Sequence, residues 1–585
     1  MKQILQKFAA TFIIVASLSG LLPAQTGPGG VGGHENDITA GSPINALWLR
    51  AHDLQFSDGD FVTMWNDVSG YNHSAVPGIA GKQAILFQQD KVNNKPWVRF
   101  FGENYLKVAN DEVLDGGEGF GIFVVAKRDL QVANKYEDKS GLVTKRAHWN
   151  AWSHVTDISM DAEGLQHAYE LRWEPVLGSD GVRHKDTMAI TGFMNGNLPD
   201  GAGADVFSKK EDTKDIDASY IISHCYSNHE DSYGSFIRIN GSQTNRPGRA
   251  EGNPNPLRVG PVVQSIKDLW LGGAQYDPPG FSGGENDPCP TCEETNLLEG
   301  AMAEVIIYKG NLWHTHVFII ENYLSLKYNI PLVDSVKYYD DDTFVHDLVG
   351  IGNEFGDDKK HSSSISHGLT IEEWDESLNA PKEYLFVAHD GLSYEWTTEG
   401  LSDEDLQRFG RTWKVEKMGS MDVRFSFNFL MAELNLINSD VPKYKLGYKE
   451  NPEDDFIVLT DINATRQLRT LHFIVPDDLL KSGYYTVTYG GEPTSIAALD
   501  NFSRSLQIFP SPAQNEINLS FANYNTGEIT IRFIDLTGRE ISRVSDYKSE
   551  DHFERNISIG HLKQGIYIVE VTVDGKRAVK RMIKQ

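Results

Sequence analysis

Apolar residues fall in short runs along most of the chain, and Gly, Asn and Asp separate the runs. Ala46-Leu-Trp-Leu-Arg50, Trp97-Val-Arg-Phe100 and Phe120-Gly-Ile-Phe-Val-Val-Ala126 open the series. Each has the length of a strand, and the punctuation between them supplies turns. From 127 to 262 the pattern loosens into polar, Gly- and Asp-rich stretches. Tyr169-Glu-Leu-Arg172, Tyr220-Ile-Ile-Ser223 and Phe236-Ile-Arg-Ile239 still read as strands there. Leu269-Trp-Leu-Gly-Gly273 and Met302-Ala-Glu-Val-Ile-Ile-Tyr308 close the block. Between His314 and Tyr328 the positions of Phe318, Ile319, Tyr323 and Leu324 predict a helix. A second block follows with strands at Tyr384-Leu-Phe-Val-Ala388, Thr412-Trp-Lys-Val415, Val423-Arg-Phe-Ser-Phe427 and Tyr484-Tyr-Thr-Val-Thr-Tyr489. The last block alternates most clearly, in Ile529-Thr-Ile-Arg-Phe-Ile534 and Tyr567-Ile-Val-Glu-Val-Thr-Val573. The expected fold class is all-β, in three domains over 43–332, 333–491 and 506–585, with a linker over 492–505.

The first residues differ. Lys2 and Lys7 precede a largely apolar run from Phe8 to Leu22, and Leu22-Pro23-Ala24 offers a small residue at a cleavage point. This is the pattern of a secretory signal peptide over 1–24, short for a membrane span. Residues 25–42, with Thr26-Gly-Pro-Gly-Gly-Val-Gly-Gly33, are expected to form a flexible leader. No later run reaches about 18 consecutive apolar residues, so no membrane-crossing helix is expected in the mature chain.

The 585 residues are 40% hydrophobic and 23% charged, ordinary globular usage. Lys and Arg number 54 against 82 Asp and Glu, a net charge of −28. Residues 25–505 hold 41 basic and 72 acidic residues, a net −31, while 506–585 carry 11 and 10. Such acidity argues against a nucleic-acid partner, because phosphate contacts need basic surface. Three cysteines are too few for a disulfide scaffold.

Few motifs carry chemistry. Asp67, Ser69 and Gly70 form a turn in which the side chains are expected to cap nearby amides. Asp340, Asp341 and Asp342 read first as a solvated acidic loop, with a calcium site as the alternative, since they cluster hard oxygen ligands without EF-hand spacing. Cys289 and Cys292 are spaced to close a small disulfide in an exported protein, which would leave Cys225 free and buried. Trp149 and Trp152, within His148-Trp-Asn-Ala-Trp-Ser-His154, are candidate platforms for a sugar ring, with core packing as the alternative.

The last block resembles the type A sorting domain of the Bacteroidetes type IX secretion system. The resemblance rests on Phe509-Pro510-Ser511-Pro512-Ala513, Asp535-Leu-Thr-Gly538-Arg539, Leu562-Lys-Gln-Gly565-Ile566-Tyr567 and the closing Lys580-Arg-Met-Ile-Lys584-Gln585, with Ser511 where the family usually has Asn. It implies a small Ig-like β-sandwich and export through the periplasm. The partner would be the outer-membrane machinery and the destination the exterior or cell surface. Pro510, Pro512, Asp535, Gly538, Arg539, Gly565, Tyr567 and Lys584 would belong to the sorting signal. Five basic residues and no acidic one in 576–585 make a cationic end.

The first block resembles the LamG-like, concanavalin A-like jelly rolls of secreted Bacteroidetes proteins. Leu47-Trp-Leu-Arg50, Trp65-x-Asp67-x-Ser69-Gly70-x-Asn72, Val98-Arg-Phe100, Ala303-Glu-Val-Ile-Ile-Tyr308 and Glu321-Asn-Tyr-Leu-Ser-Leu-Lys-Tyr328 carry it. The second block resembles an uncharacterised β-rich domain that follows such jelly rolls, through Leu348-Val-Gly350-Ile351-Gly352 and Arg411-Thr-Trp413-Lys-Val415. Hydrolases on the jelly-roll fold carry Glu-x-Asp-x-x-Glu, which is absent here. Alginate lyases carry Arg-x-Glu-Leu-Arg, of which Glu170-Leu-Arg172 remains, with Ala168 in place of the leading Arg. The expectation is a binding or adhesion protein for a polysaccharide or surface glycan. A polysaccharide-degrading enzyme with a divergent site and a structural surface-layer component remain alternatives.

Overall fold

The computed structural model describes residues 27–34, 42–129, 140–145, 168–177, 183–195, 203–207, 213, 215, 218–229, 234–244, 246–247, 260–262, 264–265, 267–275, 294–295, 297–333, 337–366, 368–403, 405–429, 441–490, 505–522, 527–535, 539–549, 552–573 and 576–585. The expected signal peptide, residues 492–504 of the linker, Trp149, Trp152, Cys289, Cys292 and Gly538 lie outside these residues.

The first strands are β1 (Ile44–Arg50), β2 (Val76–Pro77), β3 (Ile85–Val92), β4 (Lys95–Phe101), β5 (Leu106–Val108), β6 (Gly119–Arg128), β7 (Ser140–Lys145), β8 (Tyr169–Leu177) and β9 (Arg183–Asn195). Then come β10 (Gly203–Phe207), β11 (Tyr220–Ser227), β12 (Ser235–Ile239), β13 (Ser242–Thr244), β14 (Arg246–Pro247), β15 (Leu269–Leu271), β16 (Ala274–Gln275), β17 (Glu294–Thr295) and β18 (Glu299–Lys309). Two eight-stranded antiparallel sheets result. One runs β13-β12-β11-β6-β18-β4-β3 with β1 beside β18, and the other runs β14-β10-β9-β8-β7-β15-β5-β2. Leu47, Ile122, Val124, Val305 and Ile307 of the first sheet meet Leu106, Val143, Leu171, Trp173 and Leu271 of the second in one core.

The first sheet is apolar on both faces. In β6, Ile122 and Val124 point into the sandwich, while Phe123 and Val125 join a second core on the other side. A strand buried on both faces reads as a continuous apolar run, which is why Phe120–Ala126 shows no alternation. Helix α1 (His314–Tyr328) covers that outer face. The helix ends at Asn329, which adopts a left-handed conformation with φ of 50° and returns its amide to the Ser325 carbonyl. Beyond it lie β19 (His346–Asn353), β20 (Ser363–Ser366), β21 (Leu369–Glu373) and β22 (Glu383–His389). Leu348, Tyr384 and Phe386 pack in the same core as α1.

The chain divides into two compact units: 1–391 with 413–423 and 476–482, and 392–412 with 424–475 and 483–585. The boundary expected at 332/333 therefore falls inside the first unit. The cause is α1, which is buried along nearly its whole length and needs cover on more than one side. In the second unit, 396–397, 406–409, 444–449, 457–458 and 483–490 make one set of paired strands. The last block forms two further sheets: Gln507–Phe509, Glu516–Ala522 and His552–Ser558 in one, and Gly527–Asp535, Glu540–Lys548, Gly565–Val573 and Lys576–Lys584 in the other. Leu519, Phe521, Ile529, Ile531, Phe533, Val569 and Val571 fill its own core.

Part of the expected leader is packed against the fold. Pro28, Gly29, Gly30 and Val31 are buried rather than loose. Tyr308 donates its hydroxyl to the Val31 carbonyl at 2.9 Å, and His361 Nε2 lies 3.2 Å from the Gly30 carbonyl. A Cβ on Gly29 would meet Ile319 of α1 at 2.9 Å, and one on Gly30 would collide with Ser364 of β20. Glycine serves here for close backbone approach at positive φ, 69° and 83°, rather than for flexibility.

Candidate functional site

The outer face of the second sheet is built by alternation. Leu106 and Val108 flank Lys107, Leu269 and Leu271 flank Trp270, and Tyr169, Leu171 and Trp173 flank Glu170 and Arg172. The flanking residues are all in the core. The intervening ones therefore share the opposite face. Register aligns them in a row: Val76 opposite Lys107, Lys107 opposite Trp270, Trp270 opposite Thr144, and Thr144 opposite Glu170.

One end of the row is closed. Glu170 Oε2 accepts from Arg172 at 2.6 Å, and Glu170 and Arg172 are 1% and 6% exposed. Thr144 is buried too and donates to the Gly273 carbonyl at 2.7 Å. The other end is open. Val76 is exposed, and Lys107 and Trp270 are half-buried. Tyr105 stacks on Trp270 with ring centroids 4.0 Å apart and planes 19° from parallel. Tyr105 is itself enclosed, and a Cβ on Gly78 would run into its ring. Tyr105 therefore backs Trp270 and fixes it. Lys107 Nζ lies 3.4 Å from Asp268 Oδ2, and Asp268 Oδ1 accepts the Asn110 amide at 3.1 Å.

The row can hold the flat face of a ring against Trp270 and offer hydroxyl partners at its edge. Among the described residues it brings two carboxylates, Glu170, engaged by a guanidinium, and Asp268, beside Lys107.

The other sequence candidates are placed as follows. Asp67 accepts from the Trp48 and Ser69 amides at 2.9 Å, the His73 amide at 2.8 Å and the Ser69 hydroxyl at 2.7 Å, so it organises its turn. Asp340 is paired with Lys337 at 2.7 Å. Asp341 accepts the Thr343 and Phe344 amides at 2.6 Å each and Lys414 Nζ at 3.0 Å. Burial alone would raise its pKa, but these donors hold it below the usual carboxylate range. Asp342 is exposed. Among the described residues no three His, Cys, Asp or Glu side chains gather as a metal-binding set. Cys225 is a buried free thiol.

In the last block, Asp535 and Arg539 close a turn through Asp535 N to Arg539 O at 2.9 Å and Arg539 N to Asp535 Oδ1 at 3.1 Å. Gly565 opens its strand opposite Lys584, and buried Tyr567 donates to the Lys563 carbonyl at 2.9 Å. The peptides before Pro510 and Pro512 are cis. Ala513 bridges to Lys584, tying the first segment to the final strand. The basic end is partly spent internally: Arg577 pairs with Glu570 at 2.5 Å, and Lys580 donates to the Leu506 carbonyl at 2.6 Å.

Residues 507–585 match the family described as a secretion system C-terminal sorting domain. The protein is thus cargo of the type IX machinery, located outside the cell or on its surface. Residues 319–470 match a domain of unknown function (DUF8202), which begins within α1. No curated protein matches the chain. Among solved structures, domain 4 of the extracellular GH43 arabinanase AbnA of Geobacillus stearothermophilus, in complex with arabinotriose, is 12% identical over 48% of this chain and 98% of that chain, with a TM-score of 0.26. The binding domain of botulinum neurotoxin serotype D is 10% identical over 77% and 97%, at 0.29. A NanB sialidase of Streptococcus pneumoniae is 11% identical over 83% and 81%, at 0.22. TM-scores this low carry no argument about function. Among the described residues no helix is long and apolar enough to cross a membrane.

Proposed function

We propose that this exported protein is a glycan-binding or adhesion protein, and that the open end of the second sheet's outer face is its sugar platform. The observation that carries the reading is Trp270, half-buried, backed by Tyr105 at 4.0 Å and flanked by Lys107 and Asp268. A rigid aromatic face with donors and acceptors at its edge suits a ring that is apolar on its C–H face and hydroxylated at its rim. The test is a glycan-array screen of the mature protein, with and without calcium, followed by titration of the Trp270→Ala variant. By analogy with aromatic stacking on bases, the variant should lose roughly 1–3 kcal/mol of binding. Unchanged affinity in a folded Trp270→Ala protein would remove the platform. Trp149 and Trp152 are a second proposed aromatic source, and their double Ala variant belongs in the same screen. Cys289 and Cys292 are proposed to be bridged, so native protein should resist alkylation until reduced.

A further inference from the structure

We infer that the platform takes an uncharged polysaccharide and turns acidic ones away. This rests on the glycan-binding reading and concerns the class of ligand. An acidic sugar is held by a cation that still has charge to offer, best by the planar fork of an arginine. Three cations of this sheet, Arg172, Lys145 and Lys107, are already engaged. Arg172 is bound to Glu170 at 2.6 Å and enclosed. Lys145 is enclosed as well, 3.3 Å from Asp115 Oδ1, and it donates to the Ser265 and Lys267 carbonyls at 2.9 and 3.2 Å. Lys107 is the open one, and Asp268, similarly exposed, lies 3.4 Å from it. A carboxylate arriving at Lys107 would be repelled by Asp268 beside it.

Two further terms point the same way. The face of an indole is the negative side of its quadrupole, so it attracts C–H groups and not anions. The residues from 25 to 505 carry a net −31, and a polyanion approaching such a surface is repelled beyond the contacts it makes. Lys107 and Asp268 together still offer donor and acceptor groups, which is what hydroxyls need. The open stretch from Val76 to Trp270 crosses two strand spacings, about 10 Å, so it accommodates consecutive rings of a chain.

The experiment is titration of the mature full-length protein with uncharged polymers (a β-glucan, a xylan, an arabinan) and acidic ones (alginate, polygalacturonate). Each is run at about 20 mM and about 300 mM salt, which changes electrostatic range severalfold. The expected result is binding to an uncharged polymer, lost in Trp270→Ala, with affinity changing less than about twofold between the two salts. Acidic polymers should not bind. Binding of an acidic polymer that depends on Trp270 and weakens steeply with salt would overturn this inference and leave the platform standing. Binding of any polymer with equal affinity in folded Trp270→Ala would overturn the platform itself. No binding of either class would overturn the glycan reading and this inference with it.

Discussion

The two sheets of the first sandwich share one core, yet their outer faces have opposite fates. The first sheet's outer face is apolar and closed by α1, and its few polar groups are gathered on buried acids. Glu304 Oε1 accepts from Trp48 Nε1 at 2.6 Å and Tyr323 at 3.0 Å, and its Oε2 from Lys327 at 2.6 Å and Tyr328 at 2.7 Å. Burial alone would raise the Glu304 pKa, but Lys327 and the other donors hold it below the ordinary glutamate range. Glu321 Oε1 likewise accepts from the Ser223 hydroxyl and from Arg238 Nε, each at 2.9 Å. Among the described residues, the second sheet's outer face pairs Glu170 with Arg172 and Lys107 with Asp268 and leaves Trp270 partly open. The difference teaches how to tell glue from site. A polar cluster that is sealed and fully satisfied fastens elements together, whereas a backed aromatic beside solvent has an unused face.

The largest effect expected from this contrast is on the closed side. Glu304→Ala should cost about 3–5 kcal/mol in a urea titration, because it leaves Lys327 buried without its carboxylate. A loss below about 1 kcal/mol would mean that the closed face is held by apolar contact alone.

Between the two faces, His224 of β11 offers a pH test. Its ring is fully buried against β9, where a Cβ on Gly192 would sit 2.7 Å from it, and Nε2 lies 3.0 Å from the Ser235 hydroxyl. Burial lowers its pKa to about 3, so the folded state keeps it neutral while the unfolded chain protonates it below about 6.5. The unfolded state then binds more protons, and stability falls as pH drops from 6.5 toward 3. The loss should reach about 2 kcal/mol by pH 5. Denaturation midpoints at neutral and acid pH measure it, and His224→Gln should flatten the slope. An equal slope in the variant would assign the acid sensitivity to other groups.

The smallest effect sharpens the open side. Gly78→Ala should displace Tyr105 and loosen Trp270, lowering glycan affinity about tenfold, or ~1.4 kcal/mol. An unchanged affinity would show that Trp270 needs no backing.

Much of this contrast is legible in the sequence once register is known. The all-β class follows from alternation that survives even in Leu106-Lys-Val108 and Leu269-Trp-Leu271. Ala303-Glu-Val-Ile-Ile-Tyr308 and Glu321 to Tyr328 stand out as anchors, and the structure supplies the reason: Glu304 meets Tyr323, Lys327 and Tyr328. Trp270 stands in a run that reads only as a strand, a large residue between two leucines. Reading it as a platform needs Tyr105 and Gly78, which are distant in sequence and joined by strand pairing alone. The leader misleads for a different reason. Glycine-rich composition describes what an isolated segment can do, and it says nothing of a groove shaped for a backbone without side chains.

That leader sets the order in which the molecule can be completed. Gly30 finds His361 at a sequence separation of 331 and Ser364 at 334. Contacts so remote are made after most of the intervening chain exists, and topologies that depend on them fold slowly. Residues 28–31 are thus expected to be seated late. Until β20 is formed, the contacts that seat Gly30 cannot be made.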